Sequence, residues 1–270
     1  MTHAWLIIAH NEFEILQRLL SMLDSPNNDI YLHWDRKVKD LPAVRVNKSR
    51  FVVLSNRVDV RWGSVSQIEC ELALFEAAAA NGPYHYYHVI SGVTLPLRSQ
   101  DAIDTYFQAC DGKSVVTGLC QDTPYQEKLK VRRYNLFLHN YASSNQLRRK
   151  ASQFLWKSAI TLQRVLHIEA NRGLVFYKAS NWLSLTEEAV KYILGRKEGI
   201  LKTYRWSFCG DEFFIPSELM ASPLRQYILN RDDYLKREIL RDTASTFHLS
   251  DYQALANGHH LFARKFTSMP

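Results

Sequence analysis

AWLIIA, residues 4–9, is an unbroken apolar run of strand length, and His10 and Asn11 end it where a loop opens. A strand apolar on both faces belongs in a parallel sheet covered by helices. Residues 12–23 follow as an amphipathic helix, with Phe13, Leu16, Leu19, Leu20 and Leu23 spaced to face one side. The turn SPNND leads to a second strand over 30–35, and a third is predicted over 51–54. Strand, helix, strand, strand is the opening of a nucleotide-binding α/β half, in which ligands sit beyond the carboxyl ends of the strands. The residues delivered there are His10, Asn11, Asp35 and the loop after Leu54. Taken singly, Asp35 is also an ordinary turn residue beside Arg36 and Lys37.

Further along, an alanine-rich helix is predicted over 65–80, stopped by Asn81-Gly82-Pro83, and a buried strand over 86–90 runs into the turn SGVTLPL, residues 91–97. A helix over 101–108 and strands over 114–118 and 174–176 follow, then a helix over 186–194 with two early glutamates. The tail is read as a helix over 222–229, a strand near 237–241 and a short helix capped by Ser250-Asp251. Between the halves, residues 126–172 are basic and aromatic, with Lys128, Lys130, Arg132, Arg133, Arg148, Arg149 and Lys150. They read as an acceptor-binding insertion, as a nucleic-acid patch stacking bases on Tyr134, Phe137 and Tyr141, or as a solvated face whose long side chains cover apolar surface. Solvation is the expectation for most of these charges. No repeat or linker divides the chain, so one compact domain is expected.

With 270 residues, 46% of them hydrophobic and 23% charged, the chain has ample core for a soluble globular fold. No run approaches eighteen apolar residues, and the opening MTHAWLIIAHNEF lacks the basic start and cleavage site of a secretory signal. Cys70, Cys110, Cys120 and Cys209 show no CxxC spacing, so neither a zinc site nor a disulfide framework is expected and a reducing cytoplasm fits. The formal charge of +7 suits an anionic partner: a nucleotide, a nucleic acid or a membrane surface, met peripherally through the basic segment.

Chemistry is concentrated in WSFCGDEFFIP, residues 206–216, where Asp211 and Glu212 stand between a glycine and an apolar run. Acids at the mouth of a hydrophobic segment can have one pKa raised by desolvation while the other stays solvated, which is how a general base is made. The plainer reading is that Asp211 caps a helix beginning near Glu212.

Seven segments in one order, AWLIIAHNEFEIL, DIYLHWDRK, VRWGSVSQIECELALF, YHVISGVTLPLRS, KASNWLSLTEEAVKYIL, CGDEFF and HHLFARKF, give the chain a likeness that spans residues 4–266. It resembles the core-2/I-branching β-1,6-N-acetylglucosaminyltransferases and their peptide-xylosyltransferase relatives. The resemblance implies a GT-A-like α/β fold, with a mixed central sheet flanked by helices, and inverting transfer from a nucleotide sugar. Residues 1–120 would form the nucleotide-sugar half, and 121–270 the acceptor and catalytic half. It also implies Glu212 as general base, Asp35 on the nucleotide, and Lys265 on the diphosphate with an upstream arginine, Arg241 or else Arg237. His10, Arg61 and Trp62 would complete the nucleotide-sugar site, and Ser91, Thr94, Ser180, Trp182 and Asp211 the donor and acceptor pocket. A UDP-sugar donor, a glycan or lipid-linked glycan acceptor, no divalent metal and no nucleic acid are implied.

An inverting transfer needs a base for the acceptor hydroxyl and positive charge for the departing diphosphate, and the absence of an Asp-x-Asp agrees with fixed cations supplying that charge. Two departures stand out. Thr94 occupies the position of the family's usual acidic residue, which leaves an inactive scaffold as an alternative, and the family's cysteine pairs are missing. Together with the missing membrane anchor, the latter suggests a bacterial cytoplasmic enzyme of surface-polysaccharide synthesis.

Overall fold

The computed structural model describes residues 1–121, 124–237, 239–240, 243–244 and 246–268. Its order begins β1 (His3–Ala9), α1 (Phe13–Leu23), β2 (Asn28–Trp34), β3 (Arg50–Val53), α2 (Ser66–Ala79), β4 (Tyr86–Ser91), β5 (Leu95–Pro96), α3 (Gln100–Ala109), β6 (Ser114–Val116). Two helices of the basic segment follow, α4 (Pro124–Lys130) and α5 (Gln146–Val165), then β7 (Leu183–Leu185), α6 (Glu187–Gly195), α7 (Lys197–Tyr204) and α8 (Phe214–Met220). The tail holds β8 (Ile228–Asn230), β9 (Leu235–Arg237), β10 (Ile239–Leu240), β11 (Thr243–Ala244), α9 (Tyr252–Asn257) and β12 (Phe262–Arg264). The central sheet has the order β3-β2-β1-β4-β7-β6-β8. Its first four strands are parallel, β7 runs antiparallel to both β4 and β6, and β8 is parallel to β6.

β1 is buried along its whole length, as a central parallel strand must be. The predicted stripe of α1 is its buried face, with Ile15, Leu16, Leu19, Leu20 and Leu23 against the sheet and Phe13 edge-on to Trp34 at 5.5 Å. Thr186 caps α6 by accepting from the Ala189 N–H, at the boundary expected.

Two expectations fail, each on a short element. The apolar triplet 174–176 forms no strand, since Leu174 and Val175 are exposed; the strand of this region is β7, whose polar centre, Ser184, hid it. Residues 222–229 are not a helix. Ser222 and Pro223 start a 3₁₀ turn, Pro223–Tyr227, and the chain then extends as β8 to pair with β6. Of the strand expected near 237–241, β9 includes Arg237 and β10, Ile239–Leu240, pairs antiparallel with β11, while residues 238 and 241 lie outside the described residues.

Ser184 is one station of a buried polar chain. His3 binds Asp104 through Nε2 at 2.9 Å and His88 through Nδ1 at 2.8 Å, His88 reaches Ser184 Oγ at 2.7 Å, and Ser184 donates to the Tyr234 hydroxyl at 3.0 Å. The polar atoms of this chain are satisfied inside the protein, as burial requires. Among the described residues no helix is long and apolar enough to cross a membrane.

Candidate active site

The tail is carried to the carboxyl ends of the parallel strands by a second, three-stranded sheet. β12 pairs antiparallel with β5 and parallel with β9, which sets Arg264 opposite Arg237. The turn after β4 is pressed onto β1: the Gly92 N–H donates to the Ile8 carbonyl at 2.9 Å, and a Cβ on Gly92 would stand 3.0 Å from that of Ala9. Phe266 N–H donates to the Val93 carbonyl at 3.1 Å and fixes the chain just past Lys265.

Arg264 is buried, its Nε donating to Ser91 Oγ at 3.2 Å and its guanidinium lying 4.5 Å from the centre of the Trp182 ring. Ser91 Oγ also pairs with Thr94 Oγ1 at 2.9 Å. Burial, and then the charge of Arg237, pull Arg264 below the usual guanidinium range; Lys265 is lowered by burial and by both arginines. Among the described residues no carboxylate pairs with Arg237, Arg264 or Lys265, and Arg237 Nε is buried without a partner. An acid at position 94 would have stood beside this cluster; threonine leaves it uncompensated among the described residues. Three such cations repel one another and make a site for an anion. Arg241, the other arginine weighed for the diphosphate, lies outside the described residues.

His10 stays open to solvent at the rim. Partial desolvation lowers its pKa; Asp35 opposes the shift, and Lys37, Lys265 and Arg264 add to it, which places His10 between Asp35 and the tail cations. A cavity of about 390 Å³ opens there, lined by His10, Phe13, Lys37, Val38, Lys39 and Asp40. Asp35 is buried and accepts from the backbone N–H of Lys37 at 2.8 Å and from its Nζ at 2.7 Å. Lys37 Nζ goes on to Asp59 at 3.2 Å, and Asp59 to Arg61 at 2.6 Å. Arg61, next to Trp62 in the chain, thus joins Asp35 through a relay of charges. Their own contacts are with the basic segment: Arg61 donates to the His139 carbonyl at 3.1 Å, and Trp62 stacks on Tyr141 with 5.8 Å between ring centres.

The acidic turn, Gly210–Glu212, is a 3₁₀ turn entered through Cys209 in the left-handed region. Cys209 N–H donates to the Gly63 carbonyl at 2.9 Å. Asp211 caps neither this turn nor α8, whose start has no side-chain cap, so the plainer reading of the pair is set aside. Glu212 faces two ammonium groups, Lys130 at 2.6 Å and Lys178 at 3.5 Å. Burial alone would lower the Lys130 pKa, but Glu212 and its neighbours raise it. Asp211 retains partial solvent access yet is closely surrounded, and burial followed by the charge of Glu212 pushes its carboxyl up to about 7. Behind it the fully buried Glu71 of α2 is raised well above the carboxylate range by burial and then by Asp211. The two adjacent acids therefore sit in opposite environments, the arrangement that separates acid and base roles.

Residues 179–182 join the acidic turn to the cations. Ala179 N–H donates to the Glu212 carbonyl at 3.0 Å, Ser180 N–H to the Thr117 carbonyl at 2.8 Å, and Trp182 N–H to Ser180 Oγ at 3.2 Å, while the Trp182 ring underlies Arg264. Three Cα steps separate Ala179 from Trp182, at most about 11 Å of chain. Lys130, Lys178, Arg264 and Glu71 were not among the predicted site residues. Lys178 and Arg264 lie inside the segments KASNWLSL and HHLFARKF, whereas nothing local marks Lys130 or Glu71. Nor is the first part of the basic tract a free face, because Lys130, Arg132 and Arg133 turn toward Glu212, Glu127 and Glu169. Among the described residues no three His, Cys, Asp or Glu side chains converge as metal ligands would.

The turn depends on Gly63, whose φ is +76° and whose missing Cβ would lie 2.6 Å from the Phe208 ring. Gly63→Ala should cost about 2 kcal/mol from the left-handed backbone alone, with the ring displaced in addition. Thermal denaturation should show Tm lowered by about 5 °C or more; an unchanged Tm would mean that the turn relaxes freely.

A mixed sheet flanked by helices that gathers cations and acids along one edge describes an enzyme of group transfer. The family model of the Core-2/I-Branching enzymes matches residues 3–260, and the chain belongs to that family; it is a glycosyltransferase. No curated protein matches the chain. Among solved structures, mouse xyloside xylosyltransferase 1 in its apo form is similar at 10% identity and a TM-score of 0.39, over 97% of this chain and 96% of that one.

Proposed function

We propose that the protein transfers a sugar, N-acetylglucosamine or a relative of it, from a UDP-sugar to a glycan hydroxyl with inversion and without a divalent metal, in bacterial surface-polysaccharide synthesis. The observation that carries this reading is the trio of Arg237, Arg264 and Lys265 beyond the ends of β1 and β4, which no carboxylate pairs among the described residues. His10 borders the cavity for the nucleoside, and Asp35 stands behind it, holding Lys37 of its wall. Glu212 accepts the proton of the acceptor hydroxyl as its oxygen bonds to the anomeric carbon. The bond from that carbon to the diphosphate oxygen breaks on the opposite face, and the trio receives the charge that develops. Arg237, in register with Arg264, takes the arginine role here. Asp211, with its carboxyl raised to about 7, is the second reading for the base.

Turnover of a UDP-sugar should be the same with and without chelator, and Lys265→Ala should lower it about 10²-fold or more. Loss of activity in EDTA that manganese or magnesium restores would overturn the metal-free mechanism. A fully active Lys265→Ala enzyme would remove the trio from it.

A further inference from the structure

α5 carries a surface that the transfer chemistry leaves unused. Its inner face, Ser152, Trp156, Ile160 and Gln163, is buried. Gln163 exchanges hydrogen bonds with the backbone of Tyr134, both at 2.9 Å, and Trp156 Nε1 donates to Asn135 at 2.9 Å, so the helix is fastened to the body along that side. The opposite side is apolar and open to solvent. Leu147, Phe154, Leu155, Leu162 and Val165 recur at helical spacing, with Leu147 81% and Phe154 70% exposed. Helices of soluble proteins place such a stripe inward, and this one already has an inward face.

Charge identifies the occupant. Lys150, Lys157 and Arg164, seven residues apart, run along one border of the stripe and Arg148 begins the other, while residues 146–165 contain no acid. An apolar face bordered by basic side chains is the build of a helix that lies in the plane of an anionic bilayer, its apolar residues among the acyl chains and its cations at the headgroups. A second copy of the chain would set these cations against their own kind. We propose that α5 docks the enzyme peripherally on an anionic lipid surface. Trp156, on its inner face, packs on Phe208 with 5.6 Å between ring centres, four residues before Glu212. Docking there holds the acidic turn about one helix thickness, roughly 10 Å, from the bilayer surface and suits an acceptor anchored in lipid.

Sedimentation with vesicles tests this without reference to the sugar transferred. The protein should pellet with phosphatidylglycerol-containing vesicles and not with pure phosphatidylcholine. The double variant Phe154→Glu/Leu162→Glu should bind about tenfold more weakly or worse, with unchanged circular dichroism and Tm. Lys150→Glu/Lys157→Glu should remove the dependence on anionic lipid. No binding by the wild-type protein, or binding by the apolar variant as tight as wild type, would overturn the proposal. So would a wild-type dimer in ultracentrifugation that the apolar variant dissociates, which would make the stripe a contact between copies.

Discussion

Glu212→Gln is expected to cut turnover by 10²- to 10⁴-fold, the range a general base supplies, and to leave UDP binding unchanged. Glutamine keeps the shape and can still accept from Lys130 and Lys178, now 2.6 and 3.5 Å from the carboxylate, but it cannot take a proton. The cations proposed for the diphosphate lie at the other end of residues 179–182 and are untouched, so binding and chemistry separate. Asp211→Asn is the companion measurement. With its carboxyl raised to about 7, Asp211 is poised to serve as a base near neutral pH, and its use would make kcat/KM rise with pH through about 7 until it is ionised. If Asp211→Asn abolishes turnover while Glu212→Gln spares it, the roles are exchanged. If both spare it, the acidic turn is not the base. Because removing the charge of Glu212 leaves Lys130 partly buried without its partner, the Tm of each variant must accompany its rate.

What could be read from the amino-acid order follows contact range. β1, α1 and β2 were legible because an all-apolar run and a one-sided stripe are decided locally, by which faces must leave water. β7 and β8 were not. Each has three residues and exists because a neighbour offers a free edge, and the middle of β7 is a serine whose partners, His88 and Tyr234, come from distant chain. The site divides the same way. Asp35, Glu212 and Lys265 stand in motifs that a family resemblance can point to, but the Lys130–Glu212 pair closes 82 residues of sequence. Lysine in a basic tract looks solvated until the fold brings an acid to it. The expected nucleotide-site walls, Arg61 and Trp62, also meet His139 and Tyr141, contacts the sequence does not show, because the basic segment folds back beside them.

Between pH 6.5 and 4 the fold should lose stability through its buried histidines and regain part of it through its buried acids. His3 and His33 are fully buried, and burial lowers both to about 4 in spite of Asp104 beside His3 and Asp35 near His33. An exposed imidazole titrates near 6.5, so on acidification the unfolded chain takes up these protons first. Their contribution is whole above pH 6.5 and falls until about pH 4, by about 3 kcal/mol for each. His88 shifts in the same direction, through burial and then His3. Asp211 and Glu71 act oppositely: their folded pKa values lie above those of the unfolded chain, so the native state takes the proton first and gains stability as pH falls. On balance unfolding takes up protons in this range, since His10 and His260, lowered as well, add to the three imidazoles that oppose the two carboxyls. Glu71→Gln keeps the acceptor that Gln67 reaches at 3.2 Å and removes one opposing group. The slope should then steepen by about one proton, about 1.4 kcal/mol per pH unit, with the variant the more stable of the two at pH 6.5 and the two converging near pH 4. Urea denaturation at a series of pH values measures both slopes. If stability is level from pH 6.5 to 4 in wild type and variant alike, the histidines accept charge inside the folded protein and the buried chain from Asp104 to Tyr234 tolerates it.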